Sequence, residues 1–295
     1  MTSILIDSPL PNRTYRGKVR GTYDLGDRLL IVATDRISAF DAVIPTGIPD
    51  KGKVLSQMSA WWFDRTKAVV PNHFIRLADG TAADELPFAL PPELIGRSTI
   101  TRKAKRIDVE CIVRGYIAGS AWEEYKKYGT VNGVRLPKDM QEGEQLSEPM
   151  FTPTTKAAEG HDEPMTFSDL MQEVGPEAAQ VLRLRSIALY NFAAEYAREK
   201  GIIIADTKFE FGYIDGELHV IDEILTPDSS RFWDVNDYEI GRSQPSFDKQ
   251  YVRDWLRDSG WDQNPPPPEL PDDVVRGTAD RYKEAYRRLT GQEVH

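Results

Sequence analysis

Apolar and polar positions fall into periods that mark out most of the chain. Residues 15–25 and 28–33 read as two strands joined at Gly26-Asp27. From Lys53 to Ala68, Val54, Leu55, Met58, Trp61 and Trp62 recur at the spacing of a helix packed on one side. Pro71, Pro87, Pro91 and Pro92 break the next stretch and predict irregular connections. Strands resume over 99–105 and 109–117, after which Ser120 is expected to cap a helix ending near Tyr128. Residues 129–166 are rich in Gly, Pro and Glu with little periodicity, which predicts a long functional or mobile loop. Pro176 opens a long helix with Val181, Leu184, Ala188 and Phe192 at helical spacing, and Gly201 closes it. A helix over 247–258, a tetraproline break at 265–268 and a last helix to about Leu289 complete the chain, with no internal repeat. The pattern predicts an α+β protein with a small β-rich N-terminal lobe (1–105), a larger mixed C-terminal lobe (106–295) and a cleft between them.

One segment departs from simple amphipathic alternation. After the uninterrupted apolar run Ile202-Ile203-Ile204, residues 205–212 place Asp206, Lys208 and Glu210 on one face of a strand and Thr207, Phe209 and Phe211 on the other. A run covered on both faces makes idle exposure of the next three charges a poor use of the strand, so that face is read as a site. Asp222 follows across the turn signal Asp215-Gly216. A two-residue turn would set Glu210 opposite Ile221 and push Asp222 toward the core face. A three-residue loop with a bulge would set Glu210 opposite Asp222, and this register is expected because it avoids burying a carboxylate without need. Two facing carboxylates with spare coordination positions suit Mg²⁺ carrying nucleotide phosphates. Beyond the hairpin, Arg231 stands beside Phe232 and Trp233, a natural phosphate fork.

Composition narrows the classes. A net charge of −10 argues against a general nucleic-acid binder, so any anionic ligand must be met by local Lys and Arg clusters. The single cysteine, Cys111, excludes an internal disulfide and, lying at period two with Val109 and Val113, reads as core. The four histidines have no zinc-type spacing. No leader follows Met1 and no apolar run reaches the length of a membrane span, which points to a cytoplasmic protein with no membrane partner.

Other candidate sites are weaker singly. Gly17-Lys18-Val19-Arg20-Gly21 offers close backbone approach and two cations to phosphates, although a glycine-bent hairpin with solvated cations reads the same residues equally well. It is neither a P-loop nor a dinucleotide fingerprint. Asp35, Ser38 and Asp41 follow a strand end, where such residues make turns; the repeated Asp would also suit an ammonium or amine group. Arg114 on a strand and Ser120 at a helix start form a ready anion site, or else a capping serine and an unrelated surface arginine. Lys156, inside the long loop, is either a mobile phosphate contact or an ordinary exposed lysine.

Together the segments 109–114 with 118–120, 205–212, 17–20, 35–41 and 228–233 resemble the signature motifs of the SAICAR synthetase family, in order over almost the whole chain. The extended 151–157 loop and C-terminus resemble the longer, yeast-like form. The resemblance implies a two-lobed ATP-grasp-like fold and a ligase that joins L-aspartate to carboxyaminoimidazole ribonucleotide, using ATP and Mg²⁺, in de novo purine synthesis. It also implies roles. Gly17, Lys18 and Arg20 would meet nucleotide phosphates, with Lys156 as a further contact, and the stretch from Arg102 to Glu110 would meet adenine. Glu210 and Asp222 would hold Mg²⁺, and Lys208 would face the transferring phosphoryl group or the imidazole carboxylate. Arg114, Ser120 and Arg231 would hold the ribonucleotide's anions, and Asp35, Ser38 and Asp41 the aspartate or the ribonucleotide. The competing functions are a phosphotransferase, against which the absence of His-Arg-Asp and Asp-Phe-Gly motifs speaks, and a nucleotide sensor without turnover.

Overall fold

The computed structural model describes residues 4–78, 86–156 and 162–295. An antiparallel five-stranded sheet near the N-terminus runs in the order Arg13–Arg16, Arg20–Asp24, Arg28–Ala33, Ser98–Arg102, Phe74–Leu77. The expected strand over 15–25 is therefore two strands. Gly17 N–H donates to the Arg20 carbonyl at 2.8 Å, folding Gly17-Lys18-Val19 into a tight turn.

The second sheet is organised by the 13-residue strand Ile202–Ile214. Different stretches of it pair with Val109–Tyr116, Glu217–Ile221, Ser230–Asp234 and Lys105–Arg106, all antiparallel. Gln145–Phe151 adds to the far edge of Val109–Tyr116, and Thr154–Thr155 pairs with the same strand. Among the described residues, 129–156 and 162–166 are thus not the long loop expected, while 157–161, including the end of the 151–157 segment, lie outside the described residues. A short hairpin (Thr130–Val131 with Val134–Arg135) and the edge strand take up much of the segment, and backbone pairing overrides its poor periodicity.

The largest core cluster joins the helix Lys51–Thr66, through Val54, Leu55, Met58 and Trp62, to Val113, Phe209 and Phe211 of the second sheet and to the long helix Pro176–Glu199. That helix buries Ala179, Leu182, Ser186, Leu189, Ala193 and Ala197, whereas Leu184 and Phe192 are exposed. The apolar stripe read from the sequence lay on the wrong face. Small residues, which let the helix approach the sheet closely, mark the buried side instead. A separate cluster packs the C-terminal helices Gln250–Asp258 and Asp272–Thr290 against Ile37, Ala39, Ile44 and Ile48. The end of the chain thus returns to residues near its beginning. Among the described residues no helix is long and apolar enough to cross a membrane.

Candidate active site

Alternation along Ile202–Ile214 holds for the charged and aromatic residues but not for Thr207, which was expected on the core face and instead lines the cavity, its hydroxyl 2.8 Å from that of Ser230. Phe209 and Phe211 are fully buried in the core, and Asp206 and Lys208 line a cavity of about 210 Å³ on the opposite face. Arg114 and Ile112, the register partners of Asp206 and Lys208 on the neighbouring strand, line it too.

At one end of the cavity two guanidiniums converge on a single carboxylate. Arg114 donates to Asp206 Oδ2 at 3.2 Å, and Arg231 pairs with the same oxygen. Arg114 also donates to Thr152 Oγ1 at 3.0 Å and to Ser120 Oγ at 3.2 Å. Asp206, and Asp248 more remotely, raise the Arg231 pKa against the opposing effect of burial, so its charge is secure. Burial pulls the Arg114 pKa down and Asp206 opposes it. Two arginines sharing one acid leave a surplus positive charge facing the cavity, which is what an anionic group requires. Ser120 is not the cap expected. Gly119 occupies that position with φ 56 and ψ −133, and Ser120 is the first helical residue of Ser120–Tyr128, its hydroxyl turned to Arg114. A Cβ on Gly119 would lie 2.2 Å from Arg231 Nη2, so only glycine lets the guanidinium rest there.

A second set of ion pairs involves Lys208, Lys156 and, from the N-terminal sheet, Arg20. Lys208 pairs with Glu110, and Lys156 pairs with Glu210. Burial works against the Lys208 ammonium, but Glu110 and Glu210 outweigh it and hold its pKa above the ordinary lysine value. Burial, with the nearby Asp222 charge, raises the Glu210 pKa against Lys156 and Lys208. For Asp222 burial acts upward, yet Arg20, Lys156 and Lys208 bring the net shift below the usual carboxylate range.

The hairpin between these carboxylates has the other register. Asp215 (φ 52) and Gly216 (φ 83) form a two-residue turn, Ile214 faces Glu217, and Glu210 faces Ile221. Asp-Gly suits a turn with both central residues at positive φ, and that preference decides the loop length. The expected burial of Asp222 on the core face is avoided by its own backbone. Asp222 lies just past the pairing at φ 63, and its carboxylate meets Arg20 Nη1 at 3.1 Å. Arg20 also pairs with Glu223.

The remaining sequence candidates separate. Lys18 forms a half-exposed pair with Asp41. Asp35 is fully enclosed, accepting from Leu5 N–H (2.7 Å) and Gly52 N–H (2.9 Å) and pairing with Arg97 at 2.9 Å, so it anchors the first helix and offers no surface to a ligand. Ser38 lies half-buried in the two-residue strand Ser38–Ala39. Arg102 donates to the Asn72 carbonyl at 2.8 Å. Burial pushes the Cys111 thiol up to about 12, in keeping with a core role.

Sequence reading missed the cavity's other wall: Asp228, Ser229, Asp248, Lys249 and Arg253. Asp228 is buried between Lys51, Lys249 and the Tyr282 hydroxyl. Asp248 accepts from Phe232 N–H (3.1 Å) and Gln250 N–H (2.7 Å), and its burial raises its pKa to about 6 despite Arg231. Asp228 and Ser229 stand just before the strand Ser230–Asp234 and come in with it, whereas Asp248, Lys249 and Arg253 lie far along the chain and arrive with the helix Gln250–Asp258. The Asp228-Ser229-Ser230-Arg231 string was the one signal available.

Among the described residues no cluster of three or more acidic, His or Cys side chains could hold a metal ion. Glu210 and Asp222 make a two-carboxylate set. Such a set leaves most coordination positions to phosphate oxygens and water, which fits Mg²⁺ arriving with a nucleotide.

A SAICAR synthetase family model matches residues 13–268. The phosphoribosylaminoimidazole-succinocarboxamide synthase of Thermodesulfovibrio yellowstonii is 53% identical over 93% of this chain and 94% of its own length. The protein of the same name from Rhodopirellula baltica is 49% identical over 98% and 95%. Among solved structures, SAICAR synthase from Saccharomyces cerevisiae complexed with SAICAR superposes with a TM-score of 0.88 at 43% identity, over 99% of this chain and 98% of the yeast one.

Proposed function

The chain belongs to the SAICAR synthetase family, and from that premise we propose how its side chains divide the work of the reaction. The enzyme is a carbon–nitrogen ligase that couples ATP to the joining of L-aspartate and carboxyaminoimidazole ribonucleotide in purine biosynthesis. A carboxylate is a poor acyl donor. In the proposed sequence one of its oxygens attacks the γ-phosphorus of ATP and ADP leaves. The aspartate amine then attacks the acyl carbon, the C–O bond to phosphate breaks, and the amine gives up a proton as the amide forms.

In this reading Arg114, Ser120 and Arg231 take the ribonucleotide's phosphate, because two guanidiniums on Asp206 leave charge for a further anion. Lys208, on the same cavity face, meets the carboxylate and the phosphoryl group that is transferred to it. Glu210 and Asp222 hold Mg²⁺, which when bound neutralises phosphate charge. Lys156 and Arg20, now paired with those carboxylates, stand within reach of the same phosphates, and Lys18 lies at the open edge of the nucleotide side. Arg102 and Glu110 flank the adenine side. With Asp35 enclosed, Ser38 and Asp41 are the remaining candidates of their segment for the aspartate or the ribonucleotide.

The observation that carries the reading is one strand that sets Asp206 and Lys208 on an arginine-rich cavity and, two residues on, Glu210 within the electrostatic reach of Asp222. The test is incubation of purified protein with ATP, Mg²⁺, carboxyaminoimidazole ribonucleotide and L-aspartate, with mass detection of the succinocarboxamide. Formation of ADP without that product would overturn it.

A further inference from the structure

Asp228 is buried, and it is held by more positive charge than it needs. Lys51, fully enclosed at the first position of the helix Lys51–Thr66, reaches Asp228 Oδ2 at 2.7 Å. Lys249, at the foot of the helix Gln250–Asp258, lies 3.0 Å from the same oxygen, and the Tyr282 hydroxyl donates to Oδ1 at 2.8 Å. Asp228 belongs to a tight turn in which Ser229 N–H and Ser230 N–H both donate to the Thr226 carbonyl, at 3.1 and 2.9 Å. The next residue in the chain is Arg231. The two lysines differ in position. Lys51 sees only protein, whereas Lys249 lines the anion cavity with Arg231 and Arg253. One ammonium is enough to neutralise Asp228, so the second charge remains available to a ligand.

We propose that Lys51 is a positioning residue for ribonucleotide binding: by neutralising Asp228 from the protein side it leaves the Lys249 ammonium free to face the bound anion. It also ties the turn that precedes Arg231 to the first helix. The inference rests on the assignment of the ribonucleotide to this cavity. Without Lys51, Lys249 becomes the sole counter-ion of a buried carboxylate and is drawn away from the ligand.

The test compares ribonucleotide and ATP KM values in four proteins: wild type, Lys51→Met, Lys51→Met with Asp228→Asn, and Arg231→Lys. Lys51→Met is expected to raise the ribonucleotide KM about tenfold or more, the loss of one charge-assisted contact, with the ATP KM changed less than about twofold. Adding Asp228→Asn removes the charge that captures Lys249 and should recover most of the loss. A purely structural role for Lys51 makes the opposite forecast, since the second substitution would then deepen the damage and both KM values would move together; either result overturns the proposal. Should Lys51→Met fail to fold, Lys249→Met decides: with Lys51 still neutralising Asp228 it should keep the wild-type Tm within about 2 °C while the ribonucleotide KM rises about tenfold, and an unchanged ribonucleotide KM or a large fall in Tm overturns the proposal. Arg231→Lys separates the two levels of argument. If it leaves the ribonucleotide KM unchanged, the cavity assignment itself is wrong; if it raises that KM while Lys51→Met does not, only the role of Lys51 falls.

Discussion

Gly119→Ala should damage anion binding without touching any charged group. The backbone there, φ 56 and ψ −133, is a region that residues with a Cβ occupy at a cost of about 1–3 kcal/mol. With the entropy of unfolding expected for a chain of this length, that corresponds to a fall of roughly 2–5 °C in Tm. The added methyl would also stand 2.2 Å from Arg231 Nη2 and 2.6 Å from Cζ. One of the two must move, and the guanidinium is the end of a flexible side chain held mainly by Asp206. A displaced guanidinium forfeits a charge-assisted contact with the ligand worth about 1.5–3 kcal/mol, or roughly 10- to 150-fold in the ribonucleotide KM. The ATP KM should stay within about twofold. Steady-state kinetics with each substrate varied, repeated in an Arg231→Ala background, tests the cause: there Gly119→Ala should add less than about twofold to the ribonucleotide KM. Wild-type Tm and KM in the single variant, or fully additive losses in the double, would refute the reasoning.

Three further outcomes follow from the same geometry. Glu210→Gln should lower kcat by at least about 100-fold and weaken Mg²⁺ dependence while leaving the far-ultraviolet spectrum intact; a wild-type rate would remove Glu210 from the metal set. Lys208→Met should lower kcat and kcat/KM together with little change in ribonucleotide affinity by calorimetry, whereas a near-normal kcat at saturating Mg²⁺ would reduce Lys208 to a counter-ion of Glu110. Burial pushes the Lys51 ammonium down to about 8 against the attraction of Asp228, so between pH 8 and the ordinary lysine range near 10.5 the folded chain binds fewer protons than the unfolded one. Stability from this group therefore rises with pH across that window, by on the order of 3 kcal/mol. Denaturant titrations should show wild type gaining on Lys51→Met from pH 7.5 to 10, and a flat or falling difference would contradict the assignment.

Local periodicity made the strand face at 206–210 legible, because alternation of charges with Phe209 and Phe211 survives any tertiary context that buries one side. The turn at Asp215-Gly216 was legible as a turn but not as a register. The competing consideration, avoidance of a buried Asp222, was met by a positive φ at Asp222 that a sequence pattern does not display. The long helix misled for another reason. Its buried face is built of Ala and Ser as much as Leu, so the larger apolar residues at 184 and 192 pointed outward. The part of the wall formed by Asp248, Lys249 and Arg253 comes with a helix packed in a cluster between residues 37–48 and 252–279, a contact across some two hundred positions with no local signature.

The most direct test of the account is transfer of oxygen from the substrate carboxylate to phosphate. With carboxyaminoimidazole ribonucleotide labelled by ¹⁸O in its carboxylate, ATP, Mg²⁺ and L-aspartate, activation of the carboxylate beside Lys208 predicts one labelled oxygen in each inorganic phosphate released, and the other retained in the amide. Amide formation with unlabelled phosphate would contradict it.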